Sequence, residues 1–280
     1  TMSILIMTCF ALLILFGCRG KKNKKNKEDD HKKSTEVHPV KNPIEYDFSC
    51  LEDEADGGGG KVIVLGNELE NQALDNFGAE VTVEEEEEVG AAVYDENKKD
   101  IIENEDSEKL TNILERLVDQ IKNERGFNYR IYLIKNDELN AWTCGGKIFV
   151  TTTMFDFCKS DDELACVIGH EINHNELGHI KHFIQKRKLL SDVGAGVSEI
   201  LTLPFGQKDE AHCDLKGIDL VFAAGYDGCV NIDLWRRMKE ESKEGDYNAF
   251  ENLFRSHPYS AKRAICSENH IKNNYDIDCN

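Results

Sequence analysis

One five-residue segment, His170-Glu171-Ile172-Asn173-His174, combines residue types that can bind a metal ion and move a proton. Residues four apart lie on one face of an α-helix, so His170 and His174 can direct their imidazole nitrogens at one ion. The same spacing places Glu171 beside that ion as a proton acceptor. A Zn²⁺ ion lowers the pKa of a bound water towards about 7 and polarises a carbonyl group. The motif therefore predicts a zinc centre with Glu171 as general base.

Two histidines leave the zinc ion in need of a third protein ligand. The metzincin pattern is excluded, because Leu177 and Ile180 stand where that class has glycine and histidine. His179 is the next histidine along the chain. On a continuous helix, a residue five positions beyond His174 points about 140° away from it. This angle predicts a structural role for His179.

A downstream segment offers the third ligand, because Glu210 and Asp214 are separated by one helical turn. Glu210 can complete a site of two histidines and one glutamate, which leaves the fourth position open for water. Asp214 can orient one of the ligating imidazoles from behind. Cys213 lies close enough to be considered as a soft ligand, but its small size favours a role in core packing.

Helical patterns surround these motifs. The metal-binding helix is predicted to run from Asp162 to about Leu190. An acidic run, Glu84 to Glu88, favours the start of an earlier helix because negative charge suits a helix N-terminus. Apolar residues between Leu110 and Ile121 recur at helical spacing and predict an amphipathic helix that ends near Gly126.

Two segments have the alternating pattern of β-strands, Tyr129 to Ile134 and Lys147 to Thr152. Gly145-Gly146 between them indicates a turn, so a small antiparallel sheet is expected. Together with the helices, this pattern predicts an α+β, helix-dominated domain over residues 61–280.

The N-terminal region is expected to direct the chain to a membrane. Residues 4–17 are apolar over a length typical of a signal-peptide core, too short for a membrane-spanning helix. They end at Leu15-Phe16-Gly17-Cys18, which resembles a bacterial lipobox and predicts a signal peptide over residues 1–18 with a lipid on Cys18. Residues 19–60 are rich in Lys, Asn, Asp, Glu and Gly and are predicted to form a flexible tether.

Charge and cysteine content narrow the possible functions. The formal net charge of −19 argues against nucleic-acid binding, which requires clustered Lys and Arg. Of the ten cysteines, Cys9 and Cys18 fall in the predicted signal peptide, and the other eight are an even number that is compatible with disulfides outside the cytoplasm. Eight cysteines allow roughly a hundred pairings, so no particular disulfide is predicted.

Several ordered motifs between Val81 and Ile265 resemble the HtpX-like and BepA/LoiP-like metallopeptidases, a family that also includes the CAAX prenyl endopeptidases. The motifs are Asn140-Ala141, Gly145-Gly146-Lys147-Ile148-Phe149-Val150, Asp162-Glu163-Leu164-Ala165, His170-Glu171-Ile172-Asn173-His174, Glu210 with Asp214, Ala224-Gly225-Tyr226-Asp227, and Ser256-His257-Pro258 with Arg263. The resemblance implies a zincin-like domain of the gluzincin type.

The resemblance also implies roles for individual residues. It implies that His170, His174 and Glu210 bind zinc, that Glu171 is the catalytic glutamate and that Asp214 is a proton donor. His257 would approach the metal pocket, either to steady the tetrahedral intermediate or to cap the idle site, and Arg263 would fix its segment. The strand containing Gly146, Ile148 and Val150 would be the edge that pairs with an extended peptide.

The predicted function is zinc-dependent cleavage of unfolded or misassembled proteins in a bacterial cell envelope, on the periplasmic side, with the outer membrane favoured. One alternative is a catalytically idle zinc-binding lipoprotein that acts as an assembly factor or chaperone. Glu171 argues against it, because a protein that only holds zinc needs no base beside an open position. A prenyl-cysteine endopeptidase is a weaker alternative, because such an activity calls for transmembrane helices that the sequence lacks after Cys18.

Overall fold

The computed structural model describes residue 40, residues 43–51, 59–189 and 205–244, residues 253 and 257, and residues 261–279. The predicted signal peptide, the predicted lipid attachment at Cys18 and most of the predicted tether lie outside the described residues. No helix in the described part of the chain is both long and apolar enough to cross a membrane.

Helices dominate the described part of the chain, which confirms the α+β, helix-rich class. They are α1 (Gly59–Phe77), α2 (Val83–Asn97), α3 (Glu105–Val118), α4 (Thr152–Phe157), α5 (Asp161–Glu176), α6 (His179–Leu189), α7 (Gln207–Ala223), α8 (Val230–Glu244) and α9 (Ala261–Tyr275). The strands are β1 (Ile101–Ile102), β2 (Arg130–Ile134), β3 (Ala141–Cys144) and β4 (Lys147–Thr151).

Local chemistry explains where the first helices begin. The Thr82 hydroxyl accepts a hydrogen bond from the Glu85 N–H, and the Glu85 carboxylate accepts one from the Thr82 N–H, so a capping box starts α2. At the start of α5 the Ser160 hydroxyl accepts a hydrogen bond from the Glu163 N–H, so Ser160 is the N-cap residue of this helix. The amphipathic helix α3 buries Leu110 and Leu117 as the periodicity predicts, but it ends at Val118, before the predicted end near Gly126.

The sheet is mixed, so the expectation of a purely antiparallel sheet is wrong. Its strand order is β1-β2-β4-β3. The β3–β4 hairpin and the β1–β2 pair are antiparallel, whereas β2 and β4 run parallel. After β2 the chain forms β3 at the edge of the sheet and then returns as β4, which lies between β3 and β2. Strand order depends on contacts between distant residues, and the alternating pattern carries no information about it.

The hairpin turn at Gly145 and Gly146 joins β3 to β4. Both glycines have positive φ angles, 55° and 75°, as the twist of a tight hairpin requires. A Cβ atom on Gly145 would lie 2.1 Å from the Glu86 carbonyl oxygen. Glycine is therefore needed at this position both for its backbone conformation and for the close approach of α2.

Helices α5 and α7 pack along each other through two glycines. A Cβ atom on Gly169 would lie 3.3 Å from the Gly217 carbonyl oxygen, and one on Gly217 would lie 3.2 Å from the His170 nitrogen. The two backbones can approach this closely only because both positions lack a side chain. The motif His170 to His174 on α5 therefore faces the start of α7.

Part of the predicted tether, residues 43–51, packs on the folded domain. Leu51 is buried with Ala211, Leu215 and Cys266. The Tyr46 hydroxyl donates a hydrogen bond to Asp219 Oδ2 over 2.7 Å. Residues 43–51 are therefore not part of a flexible tether, although the sequence predicts one over residues 19–60. Helix α1 already begins at Gly59.

Two disulfides lie in the described part of the chain, Cys50–Cys266 and Cys229–Cys279. The first fastens residues 43–51 to α9, and the second fastens the start of α8 to the residues after α9. Four further cysteines, Cys144, Cys158, Cys166 and Cys213, are free thiols. Spacing alone does not identify these pairs, since their partners are 216 and 50 residues apart.

Candidate active site

Three predicted metal ligands converge where α5 faces α7. The Nε2 atoms of His170 and His174 lie 3.0 Å apart. One carboxylate oxygen of Glu210 lies 3.4 Å from His170 Nε2, and the other lies 3.4 Å from His174 Nε2. All three side chains are buried. Helical spacing places each ligand on its helix face, and the close packing of α5 on α7 brings the two faces together.

This arrangement fits a zinc ion. Ligand atoms about 2.0–2.1 Å from a tetrahedral zinc lie about 3.3 Å from one another, close to the three separations observed. Two imidazole nitrogens and one carboxylate form a common donor set for zinc. Glu171 Oε2 is buried and has no hydrogen-bond partner among the described residues, so it is available to a water molecule or a substrate.

Behind His170, a buried ion-pair network holds the imidazole ring. Asp214 Oδ1 lies 2.9 Å from His170 Nδ1. Arg263 is completely buried and donates two hydrogen bonds to Asp214, of 2.6 and 2.8 Å, and one of 2.8 Å to Glu210. The indole of Trp235 stacks on the Arg263 guanidinium, whose central carbon is 3.9 Å from the ring centre. The network thus links Glu210 and Asp214 of α7 to α9.

The network also sets the ionisation of its acids. Burial alone would raise the pKa of Asp214, but the charge and hydrogen bonds of Arg263 lower it below its ordinary value. Burial alone would likewise raise the pKa of Glu210, and the charges of His257 and Arg263 hold it well below that value. For Glu171 burial prevails and raises the pKa. Glu171 is therefore the more basic carboxylate, whereas Asp214 and Glu210 stay ionised.

Asp214 occupies the supporting position that the one-turn spacing predicts, on the side of His170 opposite the metal-facing nitrogen. The proton-donor role that the family resemblance implies for Asp214 stays a prediction.

His257 lies in the same group of side chains. Its Nδ1 atom is 3.1 and 3.2 Å from the two carboxylate oxygens of Glu210, and its Nε2 atom is 3.7 Å from Glu171 Oε1. Donor atoms of His170, His174, Glu210 and His257 all lie within 4.8 Å of one another. A residue 83 positions beyond His174 therefore reaches the site, where the resemblance expects it.

The long helix predicted from Asp162 to Leu190 is interrupted, and the expectation that His179 faces away from the site is wrong as a result, whereas its structural role stays a prediction. Helix α5 ends at Glu176, and Gly178 adopts a left-handed φ of 75° before α6 begins at His179. The turn brings His179 back towards the site, with its Nδ1 atom 3.0 Å from His174 Nδ1. The angle of about 140° holds only for a continuous helix.

The residues predicted to bind substrate do not lie on an edge strand. Gly146 precedes β4, and Ile148 and Val150 are fully buried within it. β4 pairs with β2 on one side and with β3 on the other, so its backbone groups are already used. The Gly146 N–H donates to the Asn175 side-chain oxygen over 3.0 Å, which fastens the hairpin to α5. The edge position expected for β4 is therefore wrong.

A sequence profile of peptidase family M48 matches residues 104–266, more than half of the chain. The chain belongs to peptidase family M48. This membership confirms the resemblance drawn from the motifs and identifies a metallopeptidase domain. The matched region contains the three predicted metal ligands, Glu171 and the network behind them.

Several curated proteins are similar to this chain. The mitochondrial metalloendopeptidase OMA1 of Schizosaccharomyces pombe is 27% identical over 170 residues, which is 55% of this chain and 50% of that protein. The metalloprotease LoiP of Escherichia coli is 27% identical over 194 residues, 61% of this chain and 71% of LoiP. The β-barrel assembly-enhancing protease of Yersinia pestis is 23% identical over 141 residues, 41% of this chain and 29% of that protein. The chain thus spans about half the length of the OMA1 relative.

An apolar cavity of about 30 Å³ adjoins the reactive groups of the M48 domain. His170, Glu171 and His257 are among the residues that line it. The apolar residues of the lining come from several elements and are Ala141, Met154, Cys166, Val167, Leu234, Trp235, Met238 and Leu253. Sequence analysis did not identify this cavity, because its walls come from residues that are more than a hundred positions apart.

Proposed function

We propose that this protein is a zinc-dependent endopeptidase that hydrolyses unfolded or misassembled proteins of a bacterial cell envelope. One observation carries the proposal: a buried glutamate with an unpartnered oxygen, Glu171 Oε2, lies beside two histidines and a glutamate arranged for zinc. Two of the similar proteins are bacterial and are named as a metalloprotease and as a β-barrel assembly-enhancing protease. The proposed location is the periplasmic side of a membrane, with the outer membrane favoured and Cys18 carrying the lipid anchor.

His170, His174 and Glu210 would hold the zinc ion in this mechanism. When bound, the ion supplies a Lewis acid that polarises the scissile carbonyl and acidifies a water molecule. Glu171 accepts a proton from the attacking water and delivers it to the nitrogen of the leaving amine as the C–N bond breaks. Burial raises the pKa of Glu171, and a higher pKa makes its carboxylate a stronger proton acceptor.

Arg263 and His257 have supporting roles in the same mechanism. Arg263 keeps Asp214 ionised, so that the Asp214 carboxylate accepts the Nδ1–H of His170 and leaves His170 Nε2 free to bind the ion. His257 either donates a hydrogen bond to the oxyanion that develops on the substrate or caps Glu210 when the site is idle. His257 Nδ1 lies 3.1 Å from Glu210 Oε2 and its Nε2 atom 3.7 Å from Glu171 Oε1, so its ring is within reach of both roles.

Strand β3, rather than β4, is the proposed partner for an extended substrate. The Thr151 N–H bonds to the Asn140 carbonyl, so alternation along the antiparallel pair directs the backbone groups of Ala141 and Thr143 away from β4. Ala141 also lines the cavity beside Glu171. A peptide that paired with β3 would therefore place its backbone next to the catalytic group and would be recognised largely through its main chain.

The direct test of the proposed function is metal-dependent cleavage by the purified protein. We expect about one zinc ion per chain, cleavage of unfolded casein, loss of cleavage after chelation and recovery on addition of zinc. Stably folded proteins of about the same size as casein should resist cleavage, because only an extended chain can pair with β3. Bound zinc without cleavage of any unfolded protein would favour the binding-only alternative, and a protein that binds no zinc would contradict the site assignment.

The apolar cavity predicts which side chains are accepted next to the scissile bond. A water molecule occupies roughly 10–15 Å³ by the same measure, so about 30 Å³ holds two or three non-hydrogen atoms. We therefore expect a preference for small and medium aliphatic side chains over aromatic ones. Met238→Ala should enlarge the cavity and raise the ratio of kcat/KM for phenylalanine over valine peptides about tenfold, since each added methylene changes binding by roughly 1–3 kcal/mol.

A peptide library that varies both residues flanking the cleavage site provides the measurement. Leu114→Ala is the matched control, because Leu114 is buried on α3 and does not line the cavity. Since the ratio compares two substrates on one enzyme, a loss of folded protein does not alter it. The same ratio in Met238→Ala and in the wild type would rule out the cavity as the determinant of preference.

A further inference from the structure

The second zinc histidine, His174, has a support of its own at His179, a residue for which the sequence predicts only a structural role. His174 Nε2 faces His170 and Glu210, so its other nitrogen, Nδ1, points away from the metal position. That Nδ1 atom lies 3.0 Å from His179 Nδ1. Both imidazoles are buried, and their rings meet edge to face with centroids 5.1 Å apart.

The proton positions follow from the metal site. A histidine that binds an ion through Nε2 carries its proton on Nδ1, so His174 must donate a hydrogen bond from Nδ1. His179 can accept that bond only with its own Nδ1 unprotonated, which places the proton of His179 on Nε2. Asp209 Oδ1 lies 3.6 Å from His179 Nε2, close enough for electrostatic attraction to favour this tautomer.

We propose that His179 is a positioning residue that fixes the ring orientation and the tautomer of His174, with Asp209 fixing His179 in turn. The arrangement parallels that of the other zinc histidine, where Asp214 contacts His170 and Arg263 holds Asp214. Each of the two zinc histidines thus has a partner at its Nδ1 atom. This inference rests on the proposed zinc centre and adds a residue that touches neither the ion nor the substrate.

The position of His179 depends on the interrupted helix. Had α5 continued past Glu176, His179 would project to another face, and Gly178 with its left-handed backbone redirects the chain so that His179 opens α6. His179 also lines a separate cavity of about 270 Å³, together with His182, Asp209 and His212. The support of His174 therefore borders a pocket other than the one that contains Glu171.

The test compares zinc binding by the purified protein and three variants. His179→Phe retains an aromatic ring but has no hydrogen-bond acceptor, and we expect its zinc affinity to fall about 10–100-fold, as for other partners of metal-binding histidines. His179→Gln supplies an amide oxygen and should recover part of the affinity. His182→Phe is the matched control, since His182 is also buried on α6, bonds to Asp75 and touches neither zinc histidine.

Competition with a chromophoric chelator measures the affinity, and thermal unfolding of the zinc-free proteins measures the purely structural effect of each change. The expected result is a zinc affinity that falls in His179→Phe, recovers in His179→Gln and stays unchanged in His182→Phe. Wild-type affinity in a folded His179→Phe, or an equal loss in His182→Phe, would overturn the inference. If the wild type bound no zinc, the proposed function would fail instead, so the two failures are distinguishable.

Discussion

Glu171→Gln is expected to abolish peptide hydrolysis while zinc stays bound. Glutamine has nearly the same shape as glutamate but cannot accept the proton of the attacking water. General acid–base groups contribute about 10²–10⁴-fold to rate, so kcat should fall by this amount. KM should change little, because Glu171 contacts the reacting water rather than the substrate main chain.

The matched control for this change is Glu176→Gln. Glu176 lies on the same helix and accepts a hydrogen bond of 2.6 Å from the Tyr129 hydroxyl, away from the zinc ligands. Both variants remove one negative charge from α5, so an effect of net charge would appear in both. Zinc content by atomic absorption and initial rates on a fluorogenic peptide are the measurements. An active Glu171→Gln enzyme would show that another group is the base.

Arg263→Met is expected to destabilise the zinc-free protein more than the zinc-bound protein. Arg263 is the buried cation between Asp214 and Glu210, and loss of one partner of a buried ion pair costs about 3–5 kcal/mol. A zinc ion at the adjacent site supplies positive charge that partly compensates the two carboxylates. Added zinc should therefore raise the free energy of unfolding of Arg263→Met by more than it raises that of the wild type.

Arg237→Met is a close control for Arg263→Met. Arg237 also pairs with a buried carboxylate, Glu163 at 2.6 Å, and its guanidinium also stacks on an aromatic ring, that of Phe157 at 4.7 Å. It lies outside the metal network, so zinc should stabilise Arg237→Met and the wild type equally. Urea unfolding of the wild type and the two variants, with and without zinc, gives the six free energies. An equal zinc effect in the two arginine variants would contradict the role of Arg263 as the cation of the site.

The features that the sequence predicted well depend on contacts between residues that are close together in the chain. The pairing of His170 with His174, and of Glu210 with Asp214, follows from the geometry of one helical turn. The amphipathic pattern of α3 and the glycines of the β3–β4 turn likewise determine the structure of only the few residues around them. The local patterns therefore predicted the helix-dominated class correctly, and the three side chains that they predict to bind zinc lie close together.

Contacts between distant residues account for the corrections. The parallel pairing of β2 with β4 places Ile148 and Val150 inside the sheet rather than at its edge. Residues 43–51 have a composition typical of a tether, yet the Cys50–Cys266 disulfide and the burial of Leu51 hold them on the domain. Neither the position of a strand in its sheet nor the disulfide partner of a cysteine is encoded in the residues that adjoin that strand or that cysteine.

By itself, the sequence determined the residue types of the candidate site and the helix faces on which they lie, and it predicted which side chains bind a metal ion and which one is the base. Only the tertiary structure decided how those faces meet, through the close approach of Gly169 and Gly217, and which groups support them from behind. Arg263 and His257 reach the site from α9 and from the residues before it, and His179 reaches it through a left-handed turn at Gly178. Helical periodicity acts over one turn, whereas these supports depend on how the whole domain packs.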